Sequence, residues 1–487
     1  MTTIRRVGTS CQISGVPEDV FLPFAEKHLI YSYRHYDFQA NRFTVQQHRL
    51  YEKNNNGTFT MLDGFRPALV EYLKSKQMEP SITGYFPDIR IDEARLARFT
   101  FRPLQRECID ALLQAVRQKH GGLISAPCAF GKSYLLAAFC MALPDAKIDI
   151  ISRRRDVVLG NYNTLASFFG TVGLVTTGRR KKDRITVYTS GSLGYSDFSA
   201  DIICLDEVHE LVTDRVLEKL VKYRGYCFGF SATPFTRFDN LHTRLLGLCG
   251  PVLYTADYNQ CVQANLVVPI VVLWQRCDTP EGIFARYDSV IMLKRYGIWR
   301  NERRNQAIAD VARRYYEAGN QVMILVETVE HVLQLKKLLP EFEVCYAASS
   351  LERRRYKDIE YMPISSAIRE RLRQRFLAGE LRGVIATNIW SVGVSFNNLQ
   401  VLIRADGVGS ATAAIQAPGR VCRLGDAKDY GLVIDFEDRF DSRLRQKAVL
   451  KSKIYKKQGW WQITADKRVI YPDGESVCAV STSENGT

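Results

Sequence analysis

SAPCAFGKSYLL, residues Ser125–Leu136, decides how the rest of the chain is read. It follows a short apolar run, GGLIS, and opens a second one with helical spacing, SYLLAAFCMAL. A strand, a turn of small residues, Gly-Lys-Ser and a helix form the context in which backbone N–H groups and a helix N-terminus hold phosphate oxygens. In that arrangement Gly131 lets the backbone approach a phosphate, Lys132 pairs with the β- and γ-phosphates of ATP, and Ser133 ligates Mg²⁺. Ala126, Pro127, Cys128, Ala129 and Phe130 complete the loop. Alanine at 126 and 129 stands where glycine is commoner, and is expected to serve if the backbone angles there stay allowed. Gly-Lys-Ser alone is a common triplet, so the reading depends on what the other strand ends carry.

Those ends are informative. From about Thr100, helical segments alternate with apolar runs: GGLISAP, AKIDIIS, ITVYTS, ADIICLDE and YCFGFSAT. A second series starts near Gln321: QVMILVE, FEVCYAAS, RGVIATN, NLQVLIRA and DYGLVIDF. Between the two series, roughly 255–300 is expected to be connecting chain. Each run ends in small or polar residues, the pattern of buried parallel strands with function at their C-terminal ends. DEVH, Asp206–His209, closes one run. Two adjacent acids at a strand end suit divalent-metal chemistry: Asp206 would hold Mg²⁺ through water and Glu207 would orient and deprotonate an attacking water. SAT, Ser231 to Thr233, closes the next, and His209 is placed to couple the two motifs. Upstream, FRPLQ supplies Arg102 and Gln105, whose amide suits an adenine edge. In the second series IQAPGRVCR gives Gln416, Arg420 and Arg423 as QxxGRxxR, read as two arginines on one helix face that neutralise charge on a γ-phosphate. A small-molecule P-loop kinase has no use for a second sheet carrying that motif.

Composition sets the partner class. Lys and Arg number 67 against 52 Asp and Glu, a formal charge of +15, which suits a polyanion such as nucleic acid. Twelve cysteines are scattered without a CxxC pair, so free thiols in a reducing compartment are expected rather than a zinc site or disulfides. No apolar run approaches the roughly 18–20 residues of a membrane helix, and MTTIRRVGTSCQISG lacks the apolar core of a signal peptide. A cytoplasmic protein without a membrane partner is expected.

Taken in order, these motifs resemble the superfamily-2 helicases of DExH type. A Q-like motif, the Walker A loop, motif Ia near RRRDVV, motif Ic at YTSGSL, DEVH, SAT, motif IV at VMILVET, motif V at ATNIWSVGVSF and motif VI run from residue 100 to 437. The resemblance implies an α/β fold with two RecA-like parallel-sheet motor domains and ATP between them. It implies that Arg154, Thr189, Ser190 and Thr387 grip a nucleic-acid backbone, and that Gly393 contacts the nucleotide. Ser395 stands where motif V usually carries an acid, so a ribose contact there is expected to be weaker or absent.

The flanks resemble phage recombination helicases of the UvsW type. The stretch NRFTVQQHRLYEKNNNGTFTMLDGFRPALVEYLKSK is similar to that family's N-terminal unit, and KRYGIWRNERRNQAIADVARRY to its helix before motif IV. The expected organisation is a small N-terminal α/β or α+β DNA-engaging domain at 1–98, a first motor domain at 99–260, a linker with the second motor domain at 261–437, and a C-terminal basic helical extension with a polar tail at 438–487. The resemblance implies an ATP-dependent motor that unwinds and branch-migrates DNA at forks, four-way junctions and displacement loops in replication, recombination or repair, alongside other proteins of those processes. Two alternatives stay open: an RNA-directed DExH ATPase, and a duplex-translocating subunit of a larger complex that separates no strands. No nuclease pattern is evident beside the motor.

Overall fold

The computed structural model describes residues 2–37, 42–235, 240, 242–277, 279–284, 286–287, 289–347, 363–387, 390, 396–407, 409–425, 428–466 and 468–470. The chain forms two compact units, Met1–Val267 and a second that begins at Val268.

The first unit opens with β1 (Thr3–Val7), β2 (Ser10–Ser14), β3 (Ile30–Asp37), β4 (Arg42–Arg49), β5 (Tyr51–Lys53), β6 (Phe59–Leu62) and β7 (Ser81–Gly84). Five of these make one sheet in the order β5-β6-β2-β1-β7, while β3 and β4 pair only with each other as an antiparallel ribbon. Ile4, Cys11, Ile13, Phe59 and Met61 alternate with polar neighbours and bury one sheet face against Phe21, Phe24, Leu69 and Leu73 of two helices. This is an α+β layer built on period-two alternation. Arg6, 2% exposed, fastens this layer to the remainder of the unit. The Arg6 guanidinium donates to Asp63 at 2.9 Å, to the Tyr85 carbonyl at 2.7 Å, and to the Arg224 and Gly225 carbonyls at 2.8 and 2.7 Å. Gly64 lies so close to the helix His242–Cys249 that a Cβ would sit 2.2 Å from the Leu246 carbonyl oxygen.

The rest of the unit is a parallel sheet of β8 (Gly122–Ser125), β9 (Ile148–Ser152), β10 (Gly173–Thr176), β11 (Arg179–Lys181), β12 (Ile185–Thr189), β13 (Ile202–Asp206), β14 (Tyr226–Ser231) and β15 (Val252–Thr255), with β11 the one antiparallel member. The order is β11-β10-β12-β9-β13-β14-β8-β15. Strands β9, β13 and β14 are buried along their whole length, which is why their sequences are mostly Ile, Leu, Cys and Phe rather than alternating, with Asp149 a buried exception on β9. The phosphate-loop strand β8 lies beside the SAT strand β14, which lies beside the DEVH strand β13. The three motifs thus emerge side by side at one edge.

The second unit repeats the scheme. Its strands are β16 (Ile270–Gln275), β17 (Val322–Leu325), β18 (Glu343–Cys345), β19 (Gly383–Ala386), β20 (Val401–Arg404), β21 (Gly431–Phe436), β22 (Trp461–Ile463) and β23 (Val469–Ile470), in the order β18-β19-β17-β20-β21-β16-β22-β23. All pair in parallel except β22 with β23. Together the two units give the α/β architecture of two RecA-like sheets expected from the sequence. Two segments expected outside the sheet join it. IVVLWQ, within the expected connecting chain 255–300, is β16. The extension after 437 contributes β22, which lies along β16, and the Trp274 indole donates to Gln462 Oε1 at 2.9 Å. The basic helix Ser442–Lys457 is held by Lys451 and Tyr455, which both reach the buried Asp435 at the end of β21.

Candidate nucleotide site and nucleic-acid face

Between β8 and the helix Lys132–Ala142 the loop turns through two left-handed residues, Ala129 at φ +68° and Gly131 at φ +95°. Ala126 keeps an ordinary angle, but Ala129 does not, and a β-carbon there costs on the order of 1 kcal/mol. Gly131 is required for a second reason: a Cβ would meet Gln105 Nε2 at 2.7 Å. The Gln105 amide is built into the loop, accepting from the Arg102 N–H at 2.9 Å and donating to the Phe130 carbonyl at 2.7 Å. It supports the phosphate loop directly, whatever its remaining amide hydrogen meets.

Lys132 begins the helix. Its ammonium lies 3.3 and 3.4 Å from the Ala126 and Pro127 carbonyl oxygens and 3.9 Å from Glu207 Oε1. The Ser133 hydroxyl donates to Asn161 Oδ1 at 2.7 Å, and Asn161 Nδ2 donates to Asp206 Oδ2 at 2.7 Å. Asp206 Oδ1 accepts from the Glu207 N–H at 3.0 Å. Burial, with Glu207 adjoining, pushes the Asp206 carboxyl up to about 6. A bound cation would relieve that penalty. Ser133 and Asp206 offer only hard oxygen donors, the set that suits Mg²⁺. Among the described residues no group of three or more His, Cys, Asp or Glu could hold a metal ion.

Glu207 occupies the left-handed region at φ +50°, a strained setting for this residue type that turns its side chain back toward the loop. Its Oε2 is buried without a hydrogen bond, 3.5 Å from His209 Nδ1. His209 Nδ1 lies 2.8 Å from Ser231 Oγ, and Ser231 Oγ accepts from the Thr233 N–H at 2.9 Å. Hydrogen bonds thus join His209 to SAT, and the acid of DEVH approaches that pair at 3.5 Å.

On the same edge the helix Arg155–Phe168 starts after Arg154, whose guanidinium grips Glu210 at 2.7 Å and is 40% exposed at its side chain. Thr189 donates to Ser192 Oγ at 2.8 Å, and Ser190 is buried. In the second unit Thr387 directly follows β19, buried, its N–H donating to the Cys345 carbonyl at 3.1 Å. Gly393 and Ser395 lie outside the described residues.

The QxxGRxxR reading needs one correction. Gln416 closes the helix Ala411–Gln416, Pro418 starts a single 3₁₀ turn ending at Arg420, and Arg423 lies beyond it in a bend. Arg420 and Arg423 therefore do not share a helix face. Proline lacks the N–H that continuing the α-helix would need, and its ring clashes with the turn before it. Gln416 and Arg420 are buried.

Two residues here carry no sequence signal. Asn161 sits in an amphipathic helix three residues beyond the motif Ia stretch RRRDVV, which does not include it. Glu210 follows DEVH directly, yet nothing in the sequence pairs it with Arg154.

The described residues include no helix long and apolar enough to cross a membrane. Residues 98–236 match the family described as "Type III restriction enzyme, res subunit", and residues 304–425 match "Helicase conserved C-terminal domain". "Putative helicase 22" of Sulfolobus islandicus filamentous virus (isolate Iceland/Hveragerdi) is 22% identical over 454 residues, 86% of this chain and 77% of that protein. "Probable helicase D10" of Escherichia phage T5 is 23% identical over 268 residues, 54% of this chain, which spans about half the length of that relative. Among solved structures, a fragment of "a putative HsdR subunit of a type I restriction enzyme" from Vibrio vulnificus YJ016 superposes with a TM-score of 0.53 at 16% identity, covering 94% of this chain and 86% of that one. With both halves matched in order and the Walker A, DEVH and SAT strands adjacent in one sheet, the chain belongs to the superfamily-2 helicases, which hydrolyse ATP.

Proposed function

We propose that the chain is an ATP- and Mg²⁺-dependent DNA motor that separates and re-pairs strands at branched DNA. The observation that carries the reading is the run of close contacts from phosphate loop to SAT. Ser133 is linked through Asn161 to Asp206, and Glu207 through His209 to Ser231. Bound MgATP supplies the scissile phosphate and the cation that screens it. Lys132 would then exchange the Ala126 and Pro127 carbonyls for phosphate oxygens. Ser133 and Asp206 would hold the cation. Glu207, with Oε2 uncommitted to any hydrogen bond, would orient water and take its proton. Gln416, Arg420 and Arg423 would neutralise developing charge on the γ-phosphate. Any shift of Glu207 on turnover would press on His209, which would pass it to Ser231 and Thr233. Arg154, Thr189, Ser190 and Thr387 would hold phosphates of the tracked strand, contacts that read backbone rather than bases.

A branched substrate is supported by the ribbon β3–β4. It sets the half-buried rings of Tyr33 and His48 5.1 Å apart, over a buried Tyr31, and leaves Val45 70% exposed. An aromatic ribbon set on a domain that Arg6 locks to the motor is suited to engage unpaired bases at a branch. The formal charge of +15 suits the phosphate-dense partner. A second reading, movement on duplex without strand separation, is favoured by the match of residues 98–236 to a restriction-enzyme subunit family.

ATP hydrolysis measured at fixed salt on single-stranded DNA, duplex, a fork, a four-way junction and matched RNA separates these readings. Greatest stimulation by the fork or junction, with strand products, supports the proposal. Greatest stimulation by plain duplex without strand products favours the second reading, and greatest stimulation by RNA overturns the DNA assignment.

A further inference from the structure

Asn161 is 2% exposed, and its amide bridges the two side chains best suited to hold a cation. The direction of each hydrogen bond follows from chemistry. An ionised carboxylate only accepts, so the Asn161 NH₂ must face Asp206, and its carbonyl oxygen must then face Ser133. A serine hydroxyl has one proton. Given to Asn161 Oδ1 at 2.7 Å, that proton leaves the oxygen's lone pairs to other partners. Asp206 is fixed from both sides, by Asn161 at Oδ2 and by the Glu207 N–H at Oδ1. Few side chains of this size put one acceptor and one donor on a rigid plane. Aspartate would set a second acceptor against Asp206, and leucine would leave Ser133 and Asp206 without the bridge.

We propose that Asn161 is the positioning residue of the metal–nucleotide site: it commits the Ser133 proton and locks the Asp206 carboxylate so that both oxygens meet Mg²⁺ as lone-pair donors. The proposal rests on the nucleotide site described above and extends it to a residue in the middle of the helix Arg155–Phe168 that none of the motifs includes. Asn161 touches neither nucleotide nor cation in this role. It acts through the two groups that would.

Binding of a fluorescent N-methylanthraniloyl-ADP, titrated with Mg²⁺ and separately in EDTA, tests this without relying on turnover. Asn161→Ala is expected to raise the Mg²⁺ midpoint about 10- to 100-fold, the usual cost of removing a group that orients metal ligands, while affinity in EDTA stays at the wild-type value. Asn161→Ser, whose short hydroxyl does not span the two partners, provides a second variant and is expected to shift the midpoint in the same direction. Combining Asn161→Ala with Ser133→Ala is expected to give less than the product of the separate effects, because both act on one pair of donors. An unchanged Mg²⁺ midpoint in Asn161→Ala overturns the proposal. So does an equal loss of affinity in EDTA, since Asn161 would then hold the loop and not the metal donors. Absence of nucleotide binding by the wild-type protein would overturn the site reading itself, a separate and recognisable failure.

Discussion

Arg6→Ala isolates the joint between the N-terminal sheet and the first motor sheet. The guanidinium makes four hydrogen bonds, one to Asp63 and three to backbone carbonyls, and is almost wholly buried. Removing it leaves the Tyr85, Arg224 and Gly225 carbonyls without that donor and takes one of two cations from Asp63. Breaking a buried ion pair costs about 3–5 kcal/mol, and an unsatisfied buried carbonyl about 1 kcal/mol or more. Arg66 still holds Asp63 at 2.8 Å, which moderates the first figure. The expected loss is about 3–4 kcal/mol, or roughly 6–15 °C in the melting temperature of a unit of this size. The molecule provides its own control. All five tryptophans, Trp274, Trp299, Trp390, Trp460 and Trp461, belong to the second unit. Urea unfolding followed by circular dichroism sees both units, while tryptophan fluorescence sees the second. Arg6→Ala is expected to move the circular-dichroism transition and leave the fluorescence transition in place. A shift below about 1 kcal/mol would refute the reasoning, since it would mean that water replaces all four contacts without penalty. An equal shift in both signals would refute the assignment of the effect to the first unit. The same geometry makes deletion of residues 1–98 a poor test of function, because it uncovers the Arg224–Gly225 backbone along with any DNA contact.

Three further outcomes are expected. Lys132→Ala should lower ATP turnover about 100-fold or more while sparing much of the DNA affinity measured by fluorescence polarisation, and unchanged turnover would remove the phosphate-loop assignment. His209→Ala should keep basal hydrolysis but reduce its stimulation by DNA about tenfold, the value of one buried hydrogen bond in the path to Ser231; full stimulation would show that the path is not used. Asp149, buried on β9, accepts from Tyr223 and Ser196, and burial raises its carboxyl to about 6. Its folded value lies above its unfolded one, so its stabilising contribution is full below about pH 4 and lost as pH rises through about 6. Asp149→Asn should therefore gain about 2–3 kcal/mol relative to wild type between pH 4 and pH 8 in urea titrations, and a pH-independent difference would contradict this.

Much of this fold is legible because a buried parallel strand is a short continuous apolar run with small residues at its end. GGLIS, AKIDIIS, ITVYTS, ADIICLDE and YCFGFSAT all form strands of one sheet. What is not legible is which sheet a strand joins. IVVLWQ has the same composition, but its partners lie far along the chain, and no local signal announces them. The site divides in the same way. Lys132, Asp206 and Glu207 stand in motifs because phosphate and metal chemistry fixes residue types at fixed spacings. Asn161 meets Ser133 and Asp206 only through tertiary packing, so its position in the sequence looks ordinary. The QxxGRxxR helix face fails for a local reason visible in the sequence itself, the proline at 418.

The placement of β16 has a consequence for how the protein is made. This strand is synthesised first in its sheet, yet its two neighbours are β21 and β22, and Trp274 meets Gln462 only 188 residues later. At roughly 5–20 residues per second, a ribosome takes about 10–40 s to cover that distance. Until β21 is made, IVVLWQ is an apolar strand with neither edge covered, and until β22 follows one edge stays open, the condition that favours pairing with another nascent chain. A message truncated before Trp461 would make that exposure permanent on one edge.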